Sequence, residues 1–230
     1  MRRVHTRAPV ADLPFALDGA LADALARALD GEGKILRALE ELGPVSGRDV
    51  VLVGDAGGIR HRQLAEAGAR VTAVPALKAR RGAPPANSAD IVLAWWSAFR
   101  GVDPAEMREA ERLLRPGGRL LVVHDYGRDD VSRLRGDQPE YGLWGRRDGP
   151  FLGSGFKIRV LHCWWTFDSP EEMDAFLGAA FGLVGRAVAS QCRRPRLSYN
   201  VAIYHRSTES ESAPAESESA AVAAGKPQPV

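Results

Sequence analysis

The fold of this chain is decided by residues 49–74, which read DVVLVGDAGGIRHRQLAEAGARVTAV. An apolar run at 50–53 leads into a glycine-bearing turn, a helix-forming segment follows, and a second β-branched run occupies 71–74. Strand, turn, helix and strand in this order are typical of a parallel α/β sheet. Glycine lets a turn adopt positive φ and approach a ligand closely, and the helix behind it offers unpaired N–H groups. The stretch therefore indicates a site for a nucleotide-type cofactor.

The same alternation continues on both sides of this unit. Apolar residues at every fourth position predict a helix over 17–29, and a second helix follows and stops at Gly43-Pro44. The nearly apolar run ADIVLAWWSAF at 89–99 is typical of a buried parallel strand. A helix over 104–114, a turn at Arg-Pro-Gly-Gly and a strand over 119–124 come next. The pattern predicts a mostly parallel sheet with helices on both faces.

The remainder of the chain is less regular. Residues 127–155 are rich in Gly, Arg and Asp and predict a long loop or lid. A strand over 156–167 and a helix from about 170 to 181 follow, and strands at 184–190 and 197–205 are predicted to close the fold as an antiparallel pair. We expect a loose arm at 1–16, one domain at 17–206, and a disordered tail at 207–230, where Ser, Glu, Ala and Pro dominate.

Composition excludes few classes of protein, but it is typical of an ordinary globular domain. With 45% hydrophobic residues and a net charge of +2, the 230-residue chain has no need of a nucleic-acid or membrane partner. Arginine clusters at 133–135, 146–147 and 193–196 are interpreted as solvated loop charges, with polyanion binding as the less favoured alternative. The two cysteines lack metal-ligand or disulfide spacing, and no metal site is expected. Because no stretch predicts a signal peptide or a membrane span, we expect a cytoplasmic protein.

Four segments together resemble the class I S-adenosylmethionine-dependent methyltransferases: VVLVGDAGG, AEAGARVTAV, ANSADIVLAWWSAF and RLLRPGGRLLVVHDY. The last is the most specific, a helix that ends in Leu-Arg-Pro-Gly-Gly and feeds a strand. The resemblance implies a Rossmann-like, doubly wound sheet of seven strands, one of them antiparallel, with S-adenosylmethionine across the carboxyl ends of the first and fourth strands. The cofactor-binding residues that it implies are Gly54, Asp55, Ala56, Gly57, Gly58, Pro75, Ala94 and Trp95.

The cofactor motif is degenerate at three positions. Leu52 stands where the family carries an acidic residue, and Ala56 replaces its middle glycine. Pro75 replaces the carboxylate that holds the ribose, and residues 75–89 are too few for the usual helix and third strand. The half of the pocket that would meet the methionine moiety is retained. There, Asp55 could contact the ammonium group or simply cap the helix.

Candidate catalytic residues follow the strand at 119–124. His124, Asp125 and Tyr126 lie where the family places its substrate, and a His or Asp there could accept the proton of a nucleophile. The alternative is that Asp125 caps the next turn and His124 is an ordinary loop residue. Of Trp95 and Trp96, strand alternation predicts that one faces the core and the other the pocket, where a sulfonium would gain about 0.5–2 kcal/mol from the ring face.

The leading hypothesis is an S-adenosylmethionine-dependent transferase that methylates a small-molecule substrate beneath residues 127–155. A methyltransferase-fold binding or scaffold protein without activity is the alternative, favoured by Leu52, Ala56 and Pro75. A nicotinamide-dependent oxidoreductase ranks last, because its fingerprint would need glycine at Ala56 and Ile59.

Overall fold

The structure, a computed structural model, describes residues 13–17, 19–54, 57–77, 83–136, 138 and 140–208. Most of the predicted arm and nearly all of the predicted tail lie outside these residues. Leu13, at the end of the predicted arm, is buried and belongs to the main core, and Phe15 packs against that core. None of the described helices is long and apolar enough to cross a bilayer.

The described residues form one six-stranded sheet in the order β2-β1-β3-β4-β6-β5. The strands are β1 (Asp49–Val53), β2 (Arg70–Val74), β3 (Ala89–Trp95), β4 (Leu114–Asp125), β5 (Lys157–Thr166) and β6 (Arg196–Ser207). The pairs β1–β2, β1–β3 and β3–β4 are parallel, whereas β6 is antiparallel to both β4 and β5. A mostly parallel sheet with a C-terminal antiparallel pair is thus confirmed.

Helices cover both faces of the sheet. They are α1 (Gly19–Ala28), α2 (Lys34–Leu42), α3 (Ile59–Glu66), α4 (Pro104–Leu113), α5 (Asp130–Arg135), α6 (Glu140–Leu143), α7 (Pro150–Gly153) and α8 (Pro170–Ala189). The main core packs α1, α2, α3, α5 and α8 against one face, and a second core packs α4 and α7 against the other. Helix starts follow local capping chemistry, since the Asp103 side chain accepts from the first N–H groups of α4 and Ser169 does so for α8.

The connections around β1 create the place where a ligand is expected. From β1 the chain passes through α3 to β2, which lies on one side of β1 in the sheet. From β2 it returns past β1 to β3, which lies on the other side of β1. Open α/β sheets bind ligands at such a switch point, outside the carboxyl ends of the strands. Between β2 and β3 the described residues form no strand, so six strands are found where the family resemblance implied seven.

Two predictions about the C-terminal half are wrong. Residues 184–190 are not a strand but the second part of α8, which kinks at Gly182 (φ 62°). The buried residues Gly185, Val188 and Ala189 follow helical spacing, and valines in this segment had favoured a strand. The described part of residues 127–155 forms α5, α6 and α7 rather than a long loop, while its role as a lid stays a prediction. Burial of Trp144 and Phe151 orders this segment against the sheet.

The prediction of a turn at Arg-Pro-Gly-Gly is also incorrect, since these four residues belong to β4 and form a bulge in it. Ala89 pairs with Leu114 and Ile91 with Arg119, so residues 115–118 lie opposite Asp90 alone. Thr208, the residue after β6, stabilises the bulge: its N–H donates to the Gly118 carbonyl oxygen at 2.9 Å, and its hydroxyl is shared between the carbonyl oxygens of Arg115 and Gly118. Breaker residues here interrupt strand pairing without ending the strand.

Candidate functional site

The glycine turn lies at the switch point between β1 and β3. Gly54 follows β1 directly and its N–H donates to the Val74 carbonyl oxygen at 2.9 Å, which ties the turn to the end of β2. Gly57 has a φ of 79°, and a Cβ there would meet no atom within 4 Å. Gly58 caps α3 in an extended conformation without a side-chain hydrogen bond. At Gly57 the turn therefore leaves space beside the backbone, just before the start of a helix.

Two tryptophans lie at the end of β3, beside α3. Trp95 ends β3 and Trp96 leaves it with a φ of 56°, and each is 1% exposed. Because Trp96 has left the strand conformation, both rings join the main core, and the expected division between core and pocket is wrong. Neither indole N–H has a hydrogen-bond partner within the described part of the chain. Buried donors of this kind normally bind an acceptor.

A cation already lies over these rings. The Arg60 guanidinium carbon is 4.3 Å from the Trp95 ring centroid and 5.2 Å from that of Trp96. Arg60 is only 6% exposed, and its Nη1 donates to Gln63 at 2.8 Å. Its charge also favours the ionised form of Asp30, although burial is the larger effect and raises the pKa of that carboxyl. Sequence reasoning missed Arg60, whose only signal was a basic residue in the first turn after the glycines.

The remaining predicted cofactor residues divide into three groups. Pro75 is exposed at the end of β2 and offers no carboxylate to a ribose. Ala94 is fully buried in the second core, so only its backbone could contact a ligand. Asp55 and Ala56 lie outside the described residues.

His124 is buried on the α4 face of β4. Its Nε2 donates to the Ala98 carbonyl oxygen at 2.8 Å, and its ring lies 4.9 Å from that of Trp144. The Nδ1 atom has no partner among the described residues. Burial, reinforced by the charge of Arg100, lowers the pKa of His124 to about 3. The imidazole is therefore neutral near pH 7, with an unpaired lone pair on Nδ1 and little basicity.

Asp125 points to the opposite face, into a buried ion pair. Its Oδ2 lies 2.8 Å from Arg135 Nη1, and its Oδ1 accepts from the Tyr199 hydroxyl. The guanidinium carbon of Arg135 lies 4.3 Å from the Phe15 ring centroid. Burial raises the pKa of Tyr199 well above its usual range, so this hydroxyl remains a donor. Asp125 does not cap the next turn, because the Asp129 side chain caps α5.

The three predicted catalytic residues do not form one cluster. Successive side chains of a strand point to opposite faces, which separates His124 from Asp125. Tyr126 is half-buried and packs against the second core, while its N–H donates to the Asn200 carbonyl oxygen at 2.9 Å. A catalytic role for any of them stays a prediction.

Comparison with known proteins adds similarities of fold. No protein-family model matches the chain, and no curated protein does so. Among solved structures, a protein assigned as a type II methyltransferase from Anaeromyxobacter dehalogenans is 22% identical, with a TM-score of 0.48 over 76% of this chain and 96% of its own. A SAM-dependent methyltransferase from Aquifex aeolicus is 16% identical, with a TM-score of 0.45 over 82% and 98%. The MccD protein is 12% identical, with a TM-score of 0.49 over 77% and 99%.

Identities at this level do not bear on substrate or activity. The topology of the sheet is more informative: a switch point between β1 and β3, a Leu-Arg-Pro-Gly-Gly segment entering β4, and a single antiparallel strand, β6, inserted between β4 and β5. With these features the chain has the Rossmann-like fold of the class I S-adenosylmethionine-dependent methyltransferases, and its described residues lack the third strand of that fold.

Proposed function

We propose that this chain is an S-adenosylmethionine-dependent methyltransferase, or a close relative, that acts on a small-molecule substrate. One observation carries the proposal: the glycine turn, open at Gly57, leads into α3, and Arg60 of α3 packs on Trp95 and Trp96, whose buried indole N–H groups have no partner among the described residues. A ligand with hydrogen-bond acceptors would satisfy those donors, and the turn leaves room for it to contact backbone.

The residues present fit one end of the cofactor better than the other. The N–H groups of the turn at Gly57 and Gly58 and the indole N–H groups of Trp95 and Trp96 would donate to the carboxylate of the methionine moiety. Asp55 is the candidate for its ammonium group. At the ribose end, Pro75 offers only apolar surface. Bound S-adenosylmethionine would supply an electrophilic methyl group, and this chain would contribute positioning and exclusion of water.

His124 and Tyr126 are the residues that we assign to the substrate side. Both follow or end β4 and pack on the α4 face, beside the ordered segment that contains Trp144. The neutral His124 can accept a hydrogen bond at Nδ1 and so orient a substrate hydroxyl or amine, while its low pKa argues against proton abstraction. Asp125 is held in its ion pair and has a supporting role.

A binding protein without methyltransferase activity is the second candidate, and Arg60 favours it. The guanidinium occupies the ring faces that would otherwise attract a sulfonium. Two unit charges about 5 Å apart repel by about 3 kcal/mol at an effective dielectric constant near 20. For the enzyme to bind S-adenosylmethionine tightly, Arg60 must therefore turn toward the carboxylate of the ligand or toward another acceptor.

Calorimetric titration of the full chain with S-adenosylmethionine and S-adenosylhomocysteine tests the proposed cofactor site, and formation of S-adenosylhomocysteine from a nucleophile tests activity. Micromolar affinity for both supports a methyltransferase, and a screen of small nucleophiles for formation of S-adenosylhomocysteine should follow. Absence of binding at millimolar ligand would reject the proposed cofactor site and favour the inactive protein.

A further inference from the structure

A concave site lies at the β5 end of the sheet, away from the glycine turn. It is a cavity of about 250 Å³ between the end of α8, the start of β6, α5 and β5, and its lining includes Arg133, Arg193, Arg194, Arg196 and Trp164. In the strand order it is three steps from β3, roughly 14 Å at 4.8 Å per strand. The cavity is therefore separate from the candidate cofactor site.

The charges around this cavity are not balanced. Arg133 donates to Gln191 at 3.1 Å and lies 3.6 Å from the Asp130 carboxylate, which also accepts from the Ser198 backbone at 3.0 Å. Within the described part of the chain, the side chains of Arg193 and Arg194 make no ion pair or hydrogen bond. Four guanidinium groups thus share a cavity with one carboxylate.

Trp164 fixes one of these cations. The Arg196 guanidinium carbon lies 4.0 Å from the Trp164 ring centroid, a stacking distance that restricts the guanidinium and leaves its edge available for hydrogen bonds. Trp164 itself is held in β5, opposite Ser198 of β6. A restricted cation loses less conformational entropy when it binds a ligand.

From this arrangement we propose that the cavity binds a phosphate group, either free or carried by a small phosphate ester. Mutual repulsion of the arginines is relieved best by an anion of charge near −2, and the guanidinium fork matches phosphate oxygens in pairs. The volume is below the range of about 300–1,000 Å³ of pockets for drug-sized ligands, which favours a compact anion. The proposal does not depend on methyltransferase activity.

The test is an NMR titration of the full ¹⁵N-labelled chain with inorganic phosphate and with glycerol phosphate, at constant ionic strength, which follows the Trp164 indole N–H. The double variant R193Q/R194Q should weaken phosphate binding at least tenfold. The matched control is R146Q/R147Q, which removes the same charge from another exposed arginine pair outside this cavity and should change affinity less than twofold. Single variants, Arg193→Gln and Arg194→Gln, serve if the double variant does not fold.

The possible outcomes are distinct. Saturable binding that is lost only in R193Q/R194Q supports the site; tighter binding of the ester than of free phosphate identifies an ester as ligand, and the reverse identifies free phosphate. Equal weakening in both double variants would show general charge screening and overturn the proposal. Failure of both inorganic phosphate and glycerol phosphate to saturate the Trp164 shift would overturn it as well.

Discussion

Replacing Asp125 by Asn would show whether this residue is structural or catalytic. The Asp125 and Arg135 side chains are 8% and 11% exposed, so their ion pair is largely shielded from water. Tyr199, the second partner of Asp125, is 1% exposed. Asp125→Asn keeps the shape and an acceptor for Tyr199, but it removes the charge that pairs directly with the buried Arg135 guanidinium.

The expected cost is large for a single substitution. Removing one partner of a buried ion pair destabilises proteins by about 3–5 kcal/mol, and the retained hydrogen bond places this variant near the lower end. For a domain of this size, about 3 kcal/mol corresponds to a fall in Tm of roughly 6–12 °C. Urea unfolding followed by tryptophan fluorescence measures the free energy, and a thermal scan measures the fall in Tm.

The control is Asp148→Asn, which breaks the exposed ion pair of Arg146 and Asp148, where the carboxylate side chain is 73% exposed. Exposed pairs contribute about 1 kcal/mol or less. Tyr199→Phe removes only the hydroxyl and should cost about 1.5–3 kcal/mol, as for a hydrogen bond to a charged group. If Asp125→Asn destabilised the chain no more than Asp148→Asn, the buried pair would not be structural and Asp125 would return as a candidate base.

Three further predictions concern the candidate site. Gly58 has a φ of −64°, so Gly58→Val should fold normally but lose binding of S-adenosylhomocysteine in calorimetry, and parental affinity would show that the turn is not the cofactor site. The pKa of His124 is about 3 in the folded chain and about 6.5 in the unfolded chain, so the free energy of unfolding should fall as the pH decreases from about 6.5 toward 3, by up to about 1.4 kcal/mol per pH unit. His124→Phe should flatten this slope in urea unfolding. Equal slopes for the two proteins would refute a buried, neutral His124. Arg60→Met should raise the affinity for S-adenosylmethionine relative to S-adenosylhomocysteine about tenfold or more, and an unchanged ratio would show that Arg60 does not face the sulfonium.

The parts of the fold that sequence could predict have local signals. Strands β1 and β3 are continuous apolar runs, and α2 ends where Gly43-Pro44 requires it. The second half of α8 was misread because its β-branched residues favour strands while its burial follows a helical period. The Arg-Pro-Gly-Gly bulge depends on Thr208, a contact distant in sequence that local breaker chemistry does not reveal.

The candidate site could be predicted only in part, because some of its contacts join residues that are distant in sequence. The glycine turn and the missing carboxylates can be read directly from the sequence. Alternation along β4 was sufficient to predict that His124 and Asp125 diverge. The position of Arg60 over Trp95 was not predictable, because it follows from how α3 packs on the end of β3. The arginines at 193–196 appeared as a charged loop, and the cavity became evident only when α5 and β5 were placed beside them.

The most direct test of the proposed cofactor site is the response of the indole N–H signals to S-adenosylhomocysteine. The five tryptophans give five such signals in a ¹H–¹⁵N spectrum, which Trp→Phe variants assign. We expect the signals of Trp95 and Trp96 to shift on saturation, because their donors gain an acceptor, while that of Trp164 stays in place. Shifts confined to Trp164, or no shift at millimolar ligand, would contradict a cofactor site at the switch point.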